Sequence, residues 1–203
     1  MQNEATTFRL GITMAGAVSA GAYTGGFMDY LLEALSLWEA KKQQNKSLGM
    51  DSPDYDKRIP MHDVIVDVVG GASAGGITSM MTILEMLKGH QPVDKPSDTK
   101  TGNIFYDTWV LLDDDSKKIM EKMLETTDIK GTKDGIPSLL NSSFIDEVAD
   151  NVFEKNLELF DINNLPDFIS KDMYLLVTLC SVRGIPFEIE FDVRDYSFIN
   201  DIP

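Results

Sequence analysis

Ser73 lies in a Gly-x-Ser-x-Gly pattern made of Gly71, Ala72, Ser73, Ala74 and Gly75. A serine hydroxyl can attack a carbonyl carbon when a base takes its proton and hydrogen-bond donors hold the oxyanion that forms. Small residues on either side let the chain turn sharply and expose the serine. The pattern alone is weak, because a tight turn uses the same residues for purely steric reasons. The flanking residues therefore decide between a nucleophile and a structural turn.

The residues around Ser73 predict a strand before it and a helix after it. Five β-branched apolar residues occupy the six positions from Val64 to Val69, which predicts a strand buried on both faces. Apolar residues then recur at helical spacing at Ile77, Met80, Met81, Leu84 and Leu87. Ser73 is thus predicted at a strand-to-helix turn, where the helix N-terminus favours developing negative charge. This is the context of a nucleophile elbow.

A second glycine-rich stretch precedes this strand. Apolar residues alternate from Phe8 to Met14, which predicts a first strand, and residues 14–26 are then a loop rich in glycine, alanine and serine. A helix is predicted to follow and to end near Lys41, with an apolar stripe at Phe27, Tyr30, Leu31, Ala34, Leu35 and Trp38. Ligands of α/β sheets bind beyond the carboxyl ends of the strands, where this loop and Ser73 are expected to meet.

Composition limits the classes of function. The chain has 203 residues, 43% of them hydrophobic, and a formal net charge of -15, which predicts a globular domain and argues against nucleic-acid binding. The single cysteine, Cys180, lies in an apolar run and is predicted to be a buried thiol, so no disulfide framework or cysteine zinc site is expected. The uncharged stretch 10–28 is only weakly hydrophobic. We therefore expect neither a signal peptide nor a membrane span, and a cytoplasmic location.

The rest of the chain alternates helices and strands. Residues 41–60 and 89–103 are predicted to be polar insertions, and Ile104–Glu125 is predicted to be helical, with the carboxylates at 113–115 breaking it in two as a solvated junction rather than a cation site. A helix is predicted from Ser143, and strands at residues 173–179 and 187–193. This order predicts an α/β fold with helices on both faces of the sheet.

A histidine base for Ser73 is not expected. The chain has two histidines, His62 and His90, and none follows His90. In α/β-hydrolases the histidine comes late in the chain, after the acid, so a Ser-His-Asp triad in that order is disfavoured. Both histidines are interpreted as ordinary surface or boundary residues. The simplest remaining arrangement pairs the serine directly with a carboxylate, and a glycine-rich loop supplies backbone donors.

With these features the sequence resembles the patatin-like phospholipases, in particular their bacterial patatin-related branch. That family has a first strand, a glycine-rich oxyanion loop, a helix, and then the Gly-x-Ser-x-Gly serine on a second strand. The resemblance implies a three-layer α/β/α fold with a mostly parallel central sheet. It also implies that Gly16, Ala17, Val18 and Ala74 supply backbone N–H donors to the oxyanion.

The chain departs from the family pattern in two ways. The loop that often reads Gly-Gly-Gly-x-Arg-Gly carries no Arg here, and no Asp-Gly-Gly or Asp-Gly-Ala motif for the catalytic aspartate occurs. Asp134-Gly135 comes too early, and nothing singles out Asp192, Asp195 or Asp201 as a substitute. We therefore expect residues 1–203 to be a single patatin-like domain that is incomplete at its C-terminal end, with the catalytic Asp unidentified.

The resemblance implies a lipid acyl hydrolase of the phospholipase or esterase type. Ser73 would form an acyl-enzyme with help from an aspartate, without a metal or cofactor, on a lipid or acyl-ester substrate and in transient contact with a membrane. One alternative is a patatin-fold domain that binds lipid or protein without catalysis. Another is a nucleotide-binding module, although neither Gly-x-Gly-x-x-Gly nor a P-loop ending occurs. The sequence does not indicate an oligomeric state.

Overall fold

The structure is a computed structural model that describes residues 6–17, 21–111, 119–129, 139–181 and Gly184. Within the described residues, three strands and five helices follow one another, with two short 3-10 turns, Leu157–Leu159 and Ile162–Asn164, before the last of these strands. The elements are β1 (Thr7–Met14), α1 (Gly21–Leu48), β2 (Asp63–Ala72), α2 (Ala74–Lys88), α3 (Ile104–Trp109), α4 (Ile119–Leu124), α5 (Ser143–Asn156) and β3 (Ile169–Thr178).

The described strands form a parallel sheet in the order β1-β2-β3. Their carboxyl ends align, because Met14 pairs with Gly71 and Ala72 pairs with Thr178. The register shifts on both sides of β2 at Asp67. On the β3 side, Val66 pairs with Ile169 and Val68 with Tyr174, so residues 170–173 of β3 lie between successive partners. The predicted α/β fold with a parallel sheet is confirmed.

The helices α1, α2 and α3 share one core with the sheet. Parallel connections are almost always right-handed, so two successive crossovers in the order β1-β2-β3 lie on the same face. The core joins strand, α1, α2 and α3 residues, namely Met14, Val64, Val66, Val69, Met28, Leu32, Leu35, Met81, Leu84, Met86, Ile104 and Phe105. On the other face of the described sheet, Tyr174 and Leu176 are 65% and 61% exposed. A three-layer arrangement with helices on both faces stays a prediction.

The helix α1 differs from its prediction in length and in the face that it buries. It begins at Gly21 rather than near Phe27, and it ends at Leu48 rather than near Lys41, so the first residues of the predicted insertion 41–60 are helical. Phe27 and Tyr30 of the predicted stripe are exposed, whereas the buried face consists of Gly21, Gly25, Met28, Leu32, Leu35, Lys42 and Asn45. This face includes two glycines at close helix contacts and a lysine that pairs with carboxylates. A search for a stripe of apolar residues does not identify such positions as buried.

Lys42 stays charged inside this face because it has partners. Its ammonium group lies 2.6 Å from the Glu39 carboxylate and 3.0 Å from the Asp63 carboxylate. Burial by itself would lower the pKa of Lys42, but the hydrogen bonds to these two carboxylates outweigh it and raise the pKa. The pair with Asp63 also ties the last part of α1 to the start of β2.

Three burial predictions are wrong. Cys180 is exposed rather than buried, because it follows the end of β3 and lies outside the core. In α2, Ile77 and Met80 are exposed, while polar side chains such as Thr78 take positions facing the core. The strand β2 is fully buried on the core face only, and Ile65 and Val68 on its other face are half-buried.

Several other predictions are confirmed. The first strand, the strand before Ser73 and the helix after it occur as β1, β2 and α2, and residues 89–103 contain no helix or strand. Within Ile104–Glu125, α3 ends at Trp109 and α4 begins at Ile119, and the break in α3 lies at Val110, before the carboxylates. The helix from Ser143 and the strand at 173–179 occur as α5 and β3. The carboxylates at 113–115, Asp134-Gly135 and the predicted strand 187–193 lie outside the described residues.

Candidate active site

Ser73 forms the single-residue turn between β2 and α2. The strand ends at Ala72 and the helix begins at Ala74. Ser73 has φ 52° and ψ -122°, and among the described non-glycine residues it alone has a positive φ. Residues with side chains adopt such angles at an energetic cost, and strain of this kind concentrates at functional sites. The strand-to-helix turn predicted for a nucleophile elbow is therefore present, with the strain typical of one.

Glycines around Ser73 let the first strand approach the turn very closely. A β-carbon on either Gly71 or Gly75 would overlap the carbonyl oxygen of Met14, the last residue of β1. The pairing of Met14 with Gly71 continues the sheet up to this point. The two elbow glycines predicted from the sequence thus have a steric role, because no larger residue fits between β1 and the turn.

The loop after β1 reaches the serine itself. A β-carbon built on Gly16 would lie 3.1 Å from the β-carbon of Ser73 and 3.1 Å from the carbonyl oxygen of Ala72. Gly16, one of the predicted backbone donors, therefore lies beside the turn. Ala17, a second predicted donor, is the next residue along the chain. Ala74, the third, is buried at the start of α2, where the first backbone N–H groups have no partner within the helix. Val18, the fourth, lies outside the described residues.

The Ser73 side chain is exposed. Its residue is solvent-accessible, and within the described residues its hydroxyl has no hydrogen-bond partner. The sequence offered Asp192, Asp195 and Asp201 as substitutes for a catalytic aspartate, and all three lie outside the described residues. The described part of the chain therefore brings the exposed Ser73 next to Gly16 of the loop after β1 and to the first residue of α2.

Neither histidine is placed to serve Ser73. The ring of His62 packs edge-on against Trp38, with ring centroids 4.9 Å apart, before the start of β2. His90 follows α2, at the opposite end of that helix from Ser73. Fifteen helical residues separate the two, which at about 1.5 Å per residue is a distance of about 22 Å. The exclusion of a histidine base agrees with these positions.

His90 is nonetheless far from an ordinary boundary residue. Its side chain is 6% exposed, and its ring nitrogens lie 3.1 Å from carboxylate oxygens of Asp29 on α1 and of Glu85 on α2. Burial by itself would lower the pKa of His90, but its hydrogen bonds to Asp29 and Glu85 outweigh it and raise the pKa to about 9. A protonated imidazole thus bridges the two helices, a role that the sequence reasoning missed.

The same cluster holds the start of α3. Glu85, whose side chain is fully buried, accepts a hydrogen bond from the Ile104 backbone N–H and pairs with Lys88 at 2.8 Å. Asn103 donates to the Asp29 carboxylate at 2.7 Å, and its side-chain oxygen accepts from the Tyr106 N–H as the N-cap of α3. A charged residue at a core-facing position of α2 was the sequence signal for this network, since Glu85 lies between Leu84 and Met86.

Two further observations concern ligands and membranes. In the described ranges, no group of His, Cys, Asp and Glu side chains is arranged to hold a metal ion. Of the methionines of α2, Met81 and Met86 are buried in the core, and Met80 is exposed. Among the described helices, none combines the length and the apolar character needed to cross a membrane.

Comparison with known proteins shows a similarity over most of the chain. The chain is 29% identical over 204 residues to the "Uncharacterized protein y4iI" of Sinorhizobium fredii (strain NBRC 101917 / NGR234). The match covers 95% of this chain and 26% of the relative, so the chain spans about a quarter of that protein's length. No protein-family model matches the chain. No solved structure matches it either.

Proposed function

We propose that Ser73 is the nucleophile of a serine-dependent lipid acyl hydrolase of the phospholipase or esterase type. The observation that supports this most is the conformation of Ser73, a strained, exposed serine between a parallel strand and the N-terminus of α2. A turn that served only to connect the two elements would favour glycine at this φ. The strain is explained if the hydroxyl has to project from the end of the sheet toward a substrate.

The neighbouring backbone supports the same chemistry. Attack by the Ser73 oxygen on an acyl carbonyl places a negative charge on the carbonyl oxygen, and backbone N–H groups stabilise it best when they are already fixed in place. Gly16 and Ala17 approach from the end of β1, and Ala74 begins α2. In the proposed site these residues hold the oxyanion, and the partial positive charge of the helix N-terminus adds to their effect.

The proposed reaction has two halves. A carboxylate takes the Ser73 proton while the serine oxygen bonds to the acyl carbon; the tetrahedral intermediate then expels the alcohol, which takes up that proton. Water next gives a proton to the same carboxylate, attacks the acyl-enzyme, and releases the fatty acid as the proton returns to Ser73. We propose an aspartate as this carboxylate, by resemblance to the patatin-like phospholipases. No metal ion takes part in this scheme.

The number of layers in the fold, the substrate class, the contact with a membrane and the cellular location are parts of the same proposal. Resemblance to patatin-like phospholipases supports a three-layer α/β/α arrangement, a lipid or other acyl-ester substrate and transient contact with a membrane. The single cysteine agrees with a cytoplasmic location, where thiols stay reduced. The chain spans about a quarter of its relative's length. The proposal therefore also covers the activity of a longer protein that contains this chain.

Ester hydrolysis tests the proposal. Initial rates on p-nitrophenyl esters of increasing acyl length are measured for the wild-type chain, Ser73→Ala and Ser47→Ala, a matched control at an exposed serine near the end of α1, and for the same three forms extended to the next Asp-Gly of the gene. In the extended protein we expect Ser47→Ala to keep the wild-type rate and Ser73→Ala to lose at least about a thousandfold. An extended protein without turnover, or a Ser73→Ala variant that retains it, supports instead the alternative of a binding domain without catalysis.

A further inference from the structure

Trp109 lies against the first turns of α1, just after the loop that carries Gly16 and Ala17. A β-carbon on Gly21 would overlap the six-membered ring of the indole, and one on Gly25 would lie 2.8 Å from its Cδ1 atom. The glycine face of α1 thus provides the space that Trp109 fills. Gly21 follows Ala17 by four residues, so the contact is close along the chain to the proposed oxyanion donors.

The start of α1 needs such a support. Glycine is the least favourable residue in a helix interior except proline, and Gly21, Gly25 and Gly26 all fall within its first six residues. The first backbone N–H groups of any helix also lack partners within it. Thr24 donates a hydrogen bond to the Gly21 carbonyl at 3.0 Å and lies 3.3 Å from the Thr78 hydroxyl on α2. Packing, rather than helix propensity, must hold these turns in place.

Trp109 is the last residue of α3, a helix whose start is fixed by several contacts. The helix α3 is fixed at its start by the Asn103 cap and by the bond from the Ile104 N–H to the buried Glu85 carboxylate. Phe105, one turn before Trp109, is 2% exposed in the core. A short helix held this way keeps the indole in one position relative to α2, which begins at the nucleophile turn.

We propose that Trp109 is a positioning residue for the oxyanion loop. By filling the glycine face at Gly21 and Gly25, it fixes the first turns of α1 and so keeps Gly16 and Ala17 at the distance from Ser73 that the transition state requires. This inference rests on the proposed function of Ser73. Trp109 itself touches no reacting atom, so its substitution changes the rate of the chemical step more than the binding of the reagent.

Two neighbouring glycines offer a matched test. Gly25→Ala places a methyl group 2.8 Å from Trp109, whereas a β-carbon on Gly26 meets nothing within 4 Å. Both changes raise helix propensity equally, so a difference between them reports the contact with Trp109. Phosphonylation of Ser73 by a fluorophosphonate is followed over a range of reagent concentrations, which separates the binding constant from the limiting rate constant.

We expect Gly25→Ala to lower the limiting rate constant at least about tenfold with little change in the binding constant, and Gly26→Ala to keep the wild-type values. Trp109→Phe should retain more of the rate than Trp109→Ala, because a smaller ring still fills part of the space. Trp38→Phe serves as a control at the far end of α1, where Trp38 donates a hydrogen bond to the Pro60 carbonyl. Melting temperatures identify the variants that remain folded.

The outcomes separate this inference from the function on which it rests. If the wild-type chain is phosphonylated at Ser73 and folded Gly25→Ala and Trp109→Ala react within about twofold of it, Trp109 has no positioning role, and the nucleophile is unaffected by that result. If Gly25→Ala and Gly26→Ala slow the reaction equally, the contact with Trp109 is not the cause and the inference fails. A wild-type chain that does not react at Ser73 overturns both proposals.

Discussion

Gly16 and Ser73 come from the ends of different strands and lie against each other. A β-carbon on Gly16 would be 3.1 Å from the β-carbon of Ser73, a spacing at which one of the two must move. The sheet brings them together because β1 and β2 pair in parallel up to Met14 and Gly71. The loop and the serine are therefore parts of one small unit at the carboxyl ends of the strands.

Enlarging Gly16 should disturb this unit. Gly16→Val forces the loop away from Ser73 and moves the proposed donors, so we expect phosphonylation of Ser73 to slow by about 10- to 100-fold. Gly11→Ala is the matched control in the same region, because a β-carbon there would lie 3.9 Å from Val68, an ordinary contact. Equal rates for the two variants would show that the loop does not act on the serine.

The strain at Ser73 predicts an unusual stability ranking. Ser73→Gly relieves the positive φ of 52°, whereas Ser73→Ala keeps it. We expect the glycine variant to be about 1 kcal/mol more stable than the alanine variant, with both inactive. Urea unfolding of the two proteins measures the difference. An alanine variant as stable as the glycine variant would mean that the turn carries no strain.

The buried His90 predicts a loss of stability at alkaline pH. Its pKa is raised to about 9 in the folded chain, from about 6.5 in an unfolded one, by hydrogen bonds to Asp29 and Glu85 that outweigh burial. A raised pKa contributes stability that is complete below pH 6.5 and is lost as the pH rises through 9. We expect the free energy of unfolding to fall by about 1–2 kcal/mol over this window, after allowance for solvent screening.

The control for this pH dependence is His90→Gln, which cannot titrate. We expect the variant to be less stable than the wild type at pH 6.5 and to approach it at pH 9. Urea unfolding at half-unit steps of pH measures both curves. Parallel curves with a constant offset would mean that His90 does not titrate in this range.

Asn103 should be among the most sensitive polar residues of the described chain. It is fully buried, caps α3, and donates to the Asp29 carboxylate and the Gln91 carbonyl. Removal of the amide removes the cap of α3 and one donor to each of these acceptors, although Asp29 keeps its contact with His90. Asn103→Ala should therefore lower the free energy of unfolding by about 2–3 kcal/mol. Asn163→Ala, at an exposed position, should change it by less than about 0.5 kcal/mol. Similar losses for both would contradict the capping role.

Local pattern predicted the elements around the candidate site well. A run of β-branched residues followed by small residues and helical periodicity fixed β2, Ser73 and α2, because buried parallel strands and tight turns restrict residue type strongly. Glycine contacts and ion pairs were harder to anticipate. The helix α1 turns Gly21, Gly25 and the paired Lys42 toward the core, and an apolar count assigns no burial to any of these.

Away from the candidate site, burial that depends on contacts between separate elements was also hard to predict. Cys180 was expected in the core from the apolar residues before it, but the strand ends at Thr178 and leaves it exposed. His90 was expected near the surface, yet two carboxylates from separate helices enclose it. The positions of Asp29 and Glu85 in the sequence do not suggest that either pairs with His90. The contacts depend on how α1 packs against α2.

The most direct measurement of the central claim is reaction of the intact chain with a fluorophosphonate, followed by peptide mapping. We expect one phosphonyl group per chain, attached to Ser73, with no reaction in Ser73→Ala and an unchanged rate in Ser47→Ala. Reaction at another serine with Ser73 unmodified, or no reaction in a folded wild-type chain, would contradict a nucleophilic Ser73. The strained turn would then be a structural connection between β2 and α2.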